Sequence, residues 1–207
     1  MKNRIITLGR EFGSGGREFG RRLALELGIE YYDKEIITEI AKKTSLSEEY
    51  VRQVVEGKPH NLYPITIGHS ISFAGAYYVK QEQSIFFATS DILKDLASRS
   101  DCLIVGRCAD YILRDMDPYR IFVYADIESR VKRCIERTPD GERFSEKEIK
   151  RQINKIDKDR AKYYEYYTSQ KWGDIRNYDL CVNTTDIDIK NIVPHVAKMF
   201  DEKWDVN

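Results

Sequence analysis

The sequence predicts an α/β domain, a three-layer sandwich with a five-stranded parallel sheet and helices on both faces. Three observations carry that expectation. Five short apolar runs of strand length occur at Arg4–Leu8, Glu30–Tyr32, Asp101–Val105, Tyr119–Tyr124 and Tyr178–Asn183. The segments between them have helical character, and this alternation builds parallel sheets. The 207 residues, 42% of them apolar, suffice for one sizeable core, so 1–207 reads as a single domain with inserted pieces.

The first run, Arg4–Leu8, is a buried strand carried by Ile5, Ile6 and Leu8. After it comes Gly9-Arg10-Glu11-Phe12-Gly13-Ser14-Gly15-Gly16-Arg17-Glu18, and then Phe19, Leu23, Ala24 and Leu27 recur at helical spacing until Gly28 ends the helix. A glycine-rich turn thus sits at a strand-to-helix corner. Gly13, Gly15 and Gly16 lack a Cβ, so backbone N–H groups can converge on an anion there, and the helix N-terminus adds about half a positive charge. A phosphate group is the expected ligand, with Ser14 inside the cradle.

The loop departs from the pattern G-x-x-x-x-G-K-[ST], in which a lysine reaches the β/γ-phosphates and a hydroxyl faces magnesium. With Gly15 matched to the glycine before the lysine, Gly16 falls on the lysine, Arg17 follows it, and Glu18 takes the place of the hydroxyl residue. A cation and an oxygen are present but displaced. Two other readings stay open: a glycine turn with no ligand, and a dinucleotide site with Asp33 as the ribose acid. Against the second, Glu18 stands where G-x-G-x-x-G needs its third glycine.

The second run ends at Asp33, and in parallel sheets ligands bind at the carboxyl ends of the strands. From Lys34 to Ser100 the chain holds a helix near Lys34–Lys43, a helix start at Ser47-Glu48-Glu49, a loop over Gly57–Gly75 that is either mobile or ordered on the surface, and a helix near Gln81–Ala97. The third run leads into Gly106-Arg107-Cys108-Ala109-Asp110 on the same sheet edge as the glycine loop. Arg107 presents a planar fork suited to a phosphate, and Asp110 is placed to orient it or to bind a sugar or base. A plain Arg–Asp pair at a helix start is the alternative. Asp126 marks the tip of the fourth run.

Arg130, Lys132, Arg133 and Arg137 follow that fourth run; most such charges solvate a surface, and a subset beside a cleft would neutralise phosphates. Ser145–Tyr167 reads as one helix with Ile149, Ile153 and Ile156 as its apolar stripe and Arg151, Lys155 and Lys158 opposite. At about 100° per residue Arg160 falls on the isoleucine stripe, so it points inward toward an anion, with Asp157 three residues away to hold it. Snorkelling outward is its alternative. Tyr163, Tyr164, Tyr166 and Tyr167 are read as helix-surface packing rather than base-stacking groups.

Lys+Arg and Asp+Glu are both 34, so no overall basic field points to nucleic acid or membrane, and any anion site is local. No run approaches the roughly 20 apolar residues of a membrane helix. Cys102, Cys108, Cys134 and Cys181 form no C-x-x-C pair, and the start lacks a signal-peptide core, so a reducing cytoplasm is expected. His60, His69 and His195 have no ligand-like spacing. Oligomeric state is not legible.

Taken together, G-R-E-F-G-S-G-G-R-E, Tyr31-Tyr32-Asp33-Lys34, V-G-R-C-A-D-Y-I-L-R-D at 105–115, D-K-D-R-A at 157–161 and N-Y-D-L-C at 177–181 resemble the cytidylate kinase-like family of P-loop nucleoside monophosphate kinases. The resemblance covers nearly the whole chain. It implies transfer of the ATP γ-phosphate, with magnesium, to a small acceptor such as CMP, an acceptor-binding insertion over 34–100, and a helical lid over 138–171 that brings arginines. Gly13, Ser14, Gly15 and Gly16 match the phosphate loop, Arg107 an acceptor-side arginine, and Asp157 and Arg160 the lid's acid and arginine. On this basis Arg17, Asp157 and Arg160 are expected in catalysis and Gly13–Glu18 at ATP. Asp33, Arg107 and Asp110 are expected at the acceptor, and Glu18 and Asp33 at magnesium. A nucleotide-binding sensor without activity, or a kinase of a non-nucleotide metabolite, are the rival expectations.

Overall fold

The computed structural model describes residues 2–56, 73–138 and 144–205. Its five strands, β1 (Ile5–Arg10), β2 (Glu30–Tyr32), β3 (Cys102–Val105), β4 (Tyr119–Tyr124) and β5 (Leu180–Asn183), form one parallel sheet in the order β2-β3-β1-β4-β5. The α/β expectation holds.

Period-two alternation assigns each strand residue to one of two cores. Ile5, Cys102 and Ile104 face the layer made by α2 (Glu35–Thr44), α3 (Glu48–Val55) and α4 (Phe73–Arg99). Ile6, Leu8, Leu103, Val105, Ile121 and Val123 face the layer of α1 (Gly16–Leu27) and α8 (Ile189–Asp205). Both faces are covered, which is why the strands read as nearly unbroken apolar runs.

The remaining α-helices among the described residues are α5 (Ala109–Ile112), α6 (Ile127–Glu136) and α7 (Glu146–Thr168). Ser145 starts α7 with a capping box closed by Glu148. Ile149 and Ile153 pack on Val131 of α6 in a small satellite core, while Ile156 is only half-buried. Farther along α7, Tyr163 and Tyr164 enter the main core and Tyr167 stacks on Phe86 with ring centroids 4.1 Å apart. Of the four tyrosines expected on the helix surface, only Tyr166 is exposed.

Several boundaries differ from the sequence reading. β1 runs two residues past Leu8, because β4 continues to pair with it through Gly9↔Phe122 and Arg10↔Val123. β5 begins at Leu180 rather than Tyr178. α4 starts at Phe73, inside the expected Gly57–Gly75 loop, of which 57–72 lie outside the described residues, as do His60, His69 and residues 139–143 of the expected lid. No helix among the described residues is long and apolar enough to cross a membrane.

From β1 the chain returns through α1 to β2, and from β4 it leaves through α6 and α7 to β5 on the other side. Neighbouring strands that send their chains in opposite directions open a crevice at their carboxyl ends. The glycine loop hangs over that crevice.

Candidate functional site

Between β1 and α1 the loop turns through Gly13 (φ 79°) and Gly15 (φ 81°). Gly15 is the left-handed N-cap of α1, with no side-chain cap bond, so the first N–H groups of the helix have no capping oxygen from it. A Cβ at Gly15 would stand 2.9 Å from Ile189 Cδ1 as well as forcing an L residue into that region. Ser14 is buried beneath the turn. Its hydroxyl donates to the Glu11 carbonyl (2.9 Å) and accepts from the Gly16 N–H (3.3 Å), so it braces the loop from within.

A clamp of charges holds the loop from behind. Arg130 Nε donates to the Phe12 carbonyl (2.8 Å), and its guanidinium pairs with Glu11 (3.0 Å) and with Asp157. Asp157 accepts in turn from the Phe12 N–H (2.8 Å). Arg133 donates to the carbonyls of Thr184 and Ile187, and the Thr184 hydroxyl donates to the Ser14 carbonyl (2.7 Å). The basic run after β4 therefore does more than solvate a surface: the Arg130 side chain is only 8% exposed. Burial pushes the Asp157 carboxyl above its ordinary range, with Arg130 opposing.

In front of the loop lie four arginines and two acids. Arg160, expected to point inward, donates to the Arg10 carbonyl and to Asp157 Oδ1, both at 3.3 Å. Arg17 is drawn to the end of β2, with Nε 2.8 Å from Asp33 Oδ2 and a terminal nitrogen 3.9 Å from Glu56. Arg10 reaches no closer than 3.9 Å to Asp33 Oδ1. Burial first, and Arg160 next, push the Arg10 guanidinium well below its ordinary pKa, with Asp33 opposing.

Arg107 is 6% exposed, and its Nε and Nη2 have no hydrogen-bond partner among the described residues. It and Cys108 are both left-handed, at φ 60° and 54°. Such backbone costs about 1–3 kcal/mol per residue and persists at sites that use it. The Arg107–Asp110 pair of the alternative reading is not formed, and Asp110 does not orient Arg107 either; it accepts from the Tyr164 hydroxyl (2.6 Å), because α5 carries it toward α7. Burial raises the Asp110 carboxyl's pKa, with that hydrogen bond opposing.

Two cavities meet at this cluster. One, of about 340 Å³, is lined by the glycine loop, Arg17, Arg133, Arg137, Phe144 and Gln152. A smaller one, of about 50 Å³, is lined by Glu56, Arg107, Asp110, Tyr163, Tyr164 and Trp172. Arg10 and Arg160 line both.

A model of the cytidylate kinase-like family matches residues 5–186. The chain belongs to the cytidylate kinase-like family. A solved structure of an uncharacterized protein from Eubacterium ventriosum ATCC 27560 is 28% identical, with TM-score 0.69 over 96% of this chain and 99% of that one. Shikimate kinase from Bacteroides thetaiotaomicron (14% identity, TM-score 0.56, 96% and 98% covered) shares the fold. So does shikimate kinase from Acinetobacter baumannii in complex with shikimate (16%, TM-score 0.52, 97% and 94%). No curated protein matches the chain. Family and fold together support a kinase built on the P-loop architecture.

Within this cytidylate kinase-like site, Glu18 sits apart from the cavity under the loop. It pairs with Arg22 (2.9 Å) and Arg137, beside a neighbouring surface cavity. Asp33, the other expected magnesium ligand, is taken by Arg17, and no group of three or more metal-ligating side chains occurs among the described residues. The sequence reading missed Arg10 and Glu56, and it gave Arg130 no place of its own. The signal for Arg130 was present, since it lies on the Ile127–Val131–Cys134 face of α6 that packs against α7.

Proposed function

We propose that the protein is an ATP-dependent phosphotransferase that moves the γ-phosphate to a small acceptor, with a nucleoside monophosphate such as CMP as the expected one. The observation that carries this is the pair of cavities sharing Arg10 and Arg160 as their wall. A group passing between them stays in contact with the same cations, and phosphoryl transfer depends chiefly on such positioning and charge.

The loop at Gly13–Gly16, whose N-cap Gly15 offers no side-chain cap, suits the donor phosphates, and the two guanidinium nitrogens of Arg107 without a partner among the described residues suit an anionic acceptor. ATP supplies the electrophilic phosphorus when bound. Arg160 faces the charge that develops between the cavities, and Asp157 keeps it there as a positioning residue. Arg17, expected as the stand-in for the loop lysine, serves the transferring group only by leaving Asp33 and Glu56. Magnesium would be carried on the phosphates and water, and of the two expected acids Asp33 could join it once freed from Arg17, while Glu18 lies apart.

Single-turnover reactions with ATP, magnesium and a panel of nucleoside monophosphates test this. Transfer to one of them supports the assignment; tight ATP binding with no transfer to any acceptor sinks it and favours a sensor. The small second cavity favours one further arm, hydroxyl metabolites of the kind that the shikimate kinases of the same fold are named for. Transfer to those alone would keep the kinase and discard the nucleotide acceptor.

A further inference from the structure

Placing Gly15 on the second glycine of G-x-x-x-x-G-K-[ST] puts Gly16 on the lysine and Arg10 on the first glycine. The structure connects these two exchanges. A Cβ on Gly16 would stand 2.5 Å from Arg10 Cβ and 3.0 Å from its Cγ. Gly16 is not among the residues of positive φ, so space rather than backbone conformation makes it a glycine. On the far side a Cβ on Gly106 would lie 2.1 Å from Arg10 Nη1. The side chain of Arg10 thus runs through a slot that two glycines leave open.

Its guanidinium has no side-chain hydrogen bond to any described residue. Arg160, Arg107, Arg17 and Asp33 face it, and Asp33 is 3.9 Å away. Arg17 stands closer to the same carboxylate, with Nε 2.8 Å from Asp33 Oδ2 as an ion pair without hydrogen-bond alignment. An arginine that is 11% exposed, faced by like charges and open to both cavities is incomplete without an anion.

We infer that Arg10 is the residue that meets the transferring phosphate, the loop cation having moved from position 16 to position 10. The inference rests on the phosphotransferase reading for its role in the reaction, but not for its role in binding phosphate. Arg10 contacts the phosphoryl oxygens as the acceptor's lone pair closes on phosphorus and the bond to the β-bridging oxygen breaks, its electrons leaving with ADP.

The test measures the rise in melting temperature that inorganic tripolyphosphate and magnesium-free ATP give to the full chain. Arg10→Met should melt no lower than wild type without ligand, since it removes a buried charge that three arginines face and whose nearest carboxylate, Asp33, is 3.9 Å away. It should bind tripolyphosphate about tenfold or more weakly, the loss of one charge-assisted contact. Arg17→Met should keep most of the shift while melting lower without ligand. An unaltered shift in Arg10→Met, or the reverse order of the two variants, overturns the inference.

Should Arg10→Met fail to fold, the exchange itself decides. Gly16→Lys alone should lose stability against the Arg10 stem, and Arg10→Gly with Gly16→Lys should recover both stability and the tripolyphosphate shift. Gly16→Lys tolerated with its full shift, or a double variant that recovers neither, also overturns it. Wild type that shows the Arg10-dependent shift but transfers phosphate to no acceptor would end the phosphotransferase reading alone.

Discussion

Replacing Arg107 with methionine should make the ligand-free protein more stable and the enzyme worse. Two of the arginine's nitrogens, Nε and Nη2, are buried without a hydrogen-bond partner among the described residues. Each unmet donor costs about 1–3 kcal/mol, so removing both should return roughly 2 kcal/mol or more. Methionine retains most of the aliphatic stem, which keeps the packing against the core. It adopts φ 60° no more easily than arginine does, so the backbone cost at 107 cancels between the two proteins.

For a chain of this length about 1 kcal/mol moves the melting temperature by roughly 2–4 °C, which predicts a rise of about 4–8 °C in calorimetry without ligand. In steady-state kinetics the same variant should raise the acceptor KM and leave that of ATP unchanged, because Arg107 lines only the smaller cavity of the two. A melting temperature several degrees below wild type would show that the guanidinium is satisfied in solution. A defect confined to the ATP KM would refute its placement at the acceptor.

Asp157→Ala should lose about 3–5 kcal/mol in urea denaturation, because it strips Arg130 of one of two carboxylates and leaves the Phe12 N–H unmet; a loss below about 1 kcal/mol would show that Glu11 alone holds the clamp. Asp110→Asn should melt higher than wild type at neutral pH. The sign follows from the raised pKa of this buried carboxyl: the folded state binds its proton more tightly, so the group's contribution is fully present below the ordinary carboxylate range and is lost as pH rises through the raised value. The gap between Asp110→Asn and wild type should therefore close on acidification toward about pH 4, and a gap independent of pH would place the titration elsewhere.

Periodic elements were legible and singular contacts were not. The stripe of Phe19, Leu23 and Ala24 located α1, and the stripe of Ile149 and Ile153 located α7 together with the inward direction of Arg160. Arg10 escaped because Gly9 reads as a breaker after Leu8, so the strand ended two residues early and the arginine became part of a loop. Only the pairing with Phe122 and Val123, more than a hundred residues away, carries the strand that far. Arg130 escaped for a different reason. A dense basic run invites a solvated reading, although the same 100° rule that turned Arg160 inward places Arg130 beside Ile127 and Cys134. For the Asp110–Tyr164 contact and for the pull of Asp33 on Arg17, no local pattern exists; both depend on how strand ends and α7 meet in space.

The clamp and the cations are joined through one carboxylate, and that constrains how the expected lid over 138–171 can move. Asp157 touches Arg130 and the Phe12 N–H behind the loop and Arg160 in front of it. Asp157 and Arg160 stand three residues apart on one helix, so withdrawing α7 as a rigid body to remove Arg160 from Arg10 must also break the clamp. That withdrawal takes one of two carboxylates from the buried Arg130 and leaves the Phe12 N–H unmet, at several kcal/mol. Motion that leaves the loop intact is therefore restricted to the chain on the N-terminal side of Asp157, where Phe144, Ile149 and Gln152 line the larger cavity. On the proposed phosphotransferase reading, donor access is governed by the start of α7, while the middle of that helix stays with the sheet and keeps Arg160 at the shared wall.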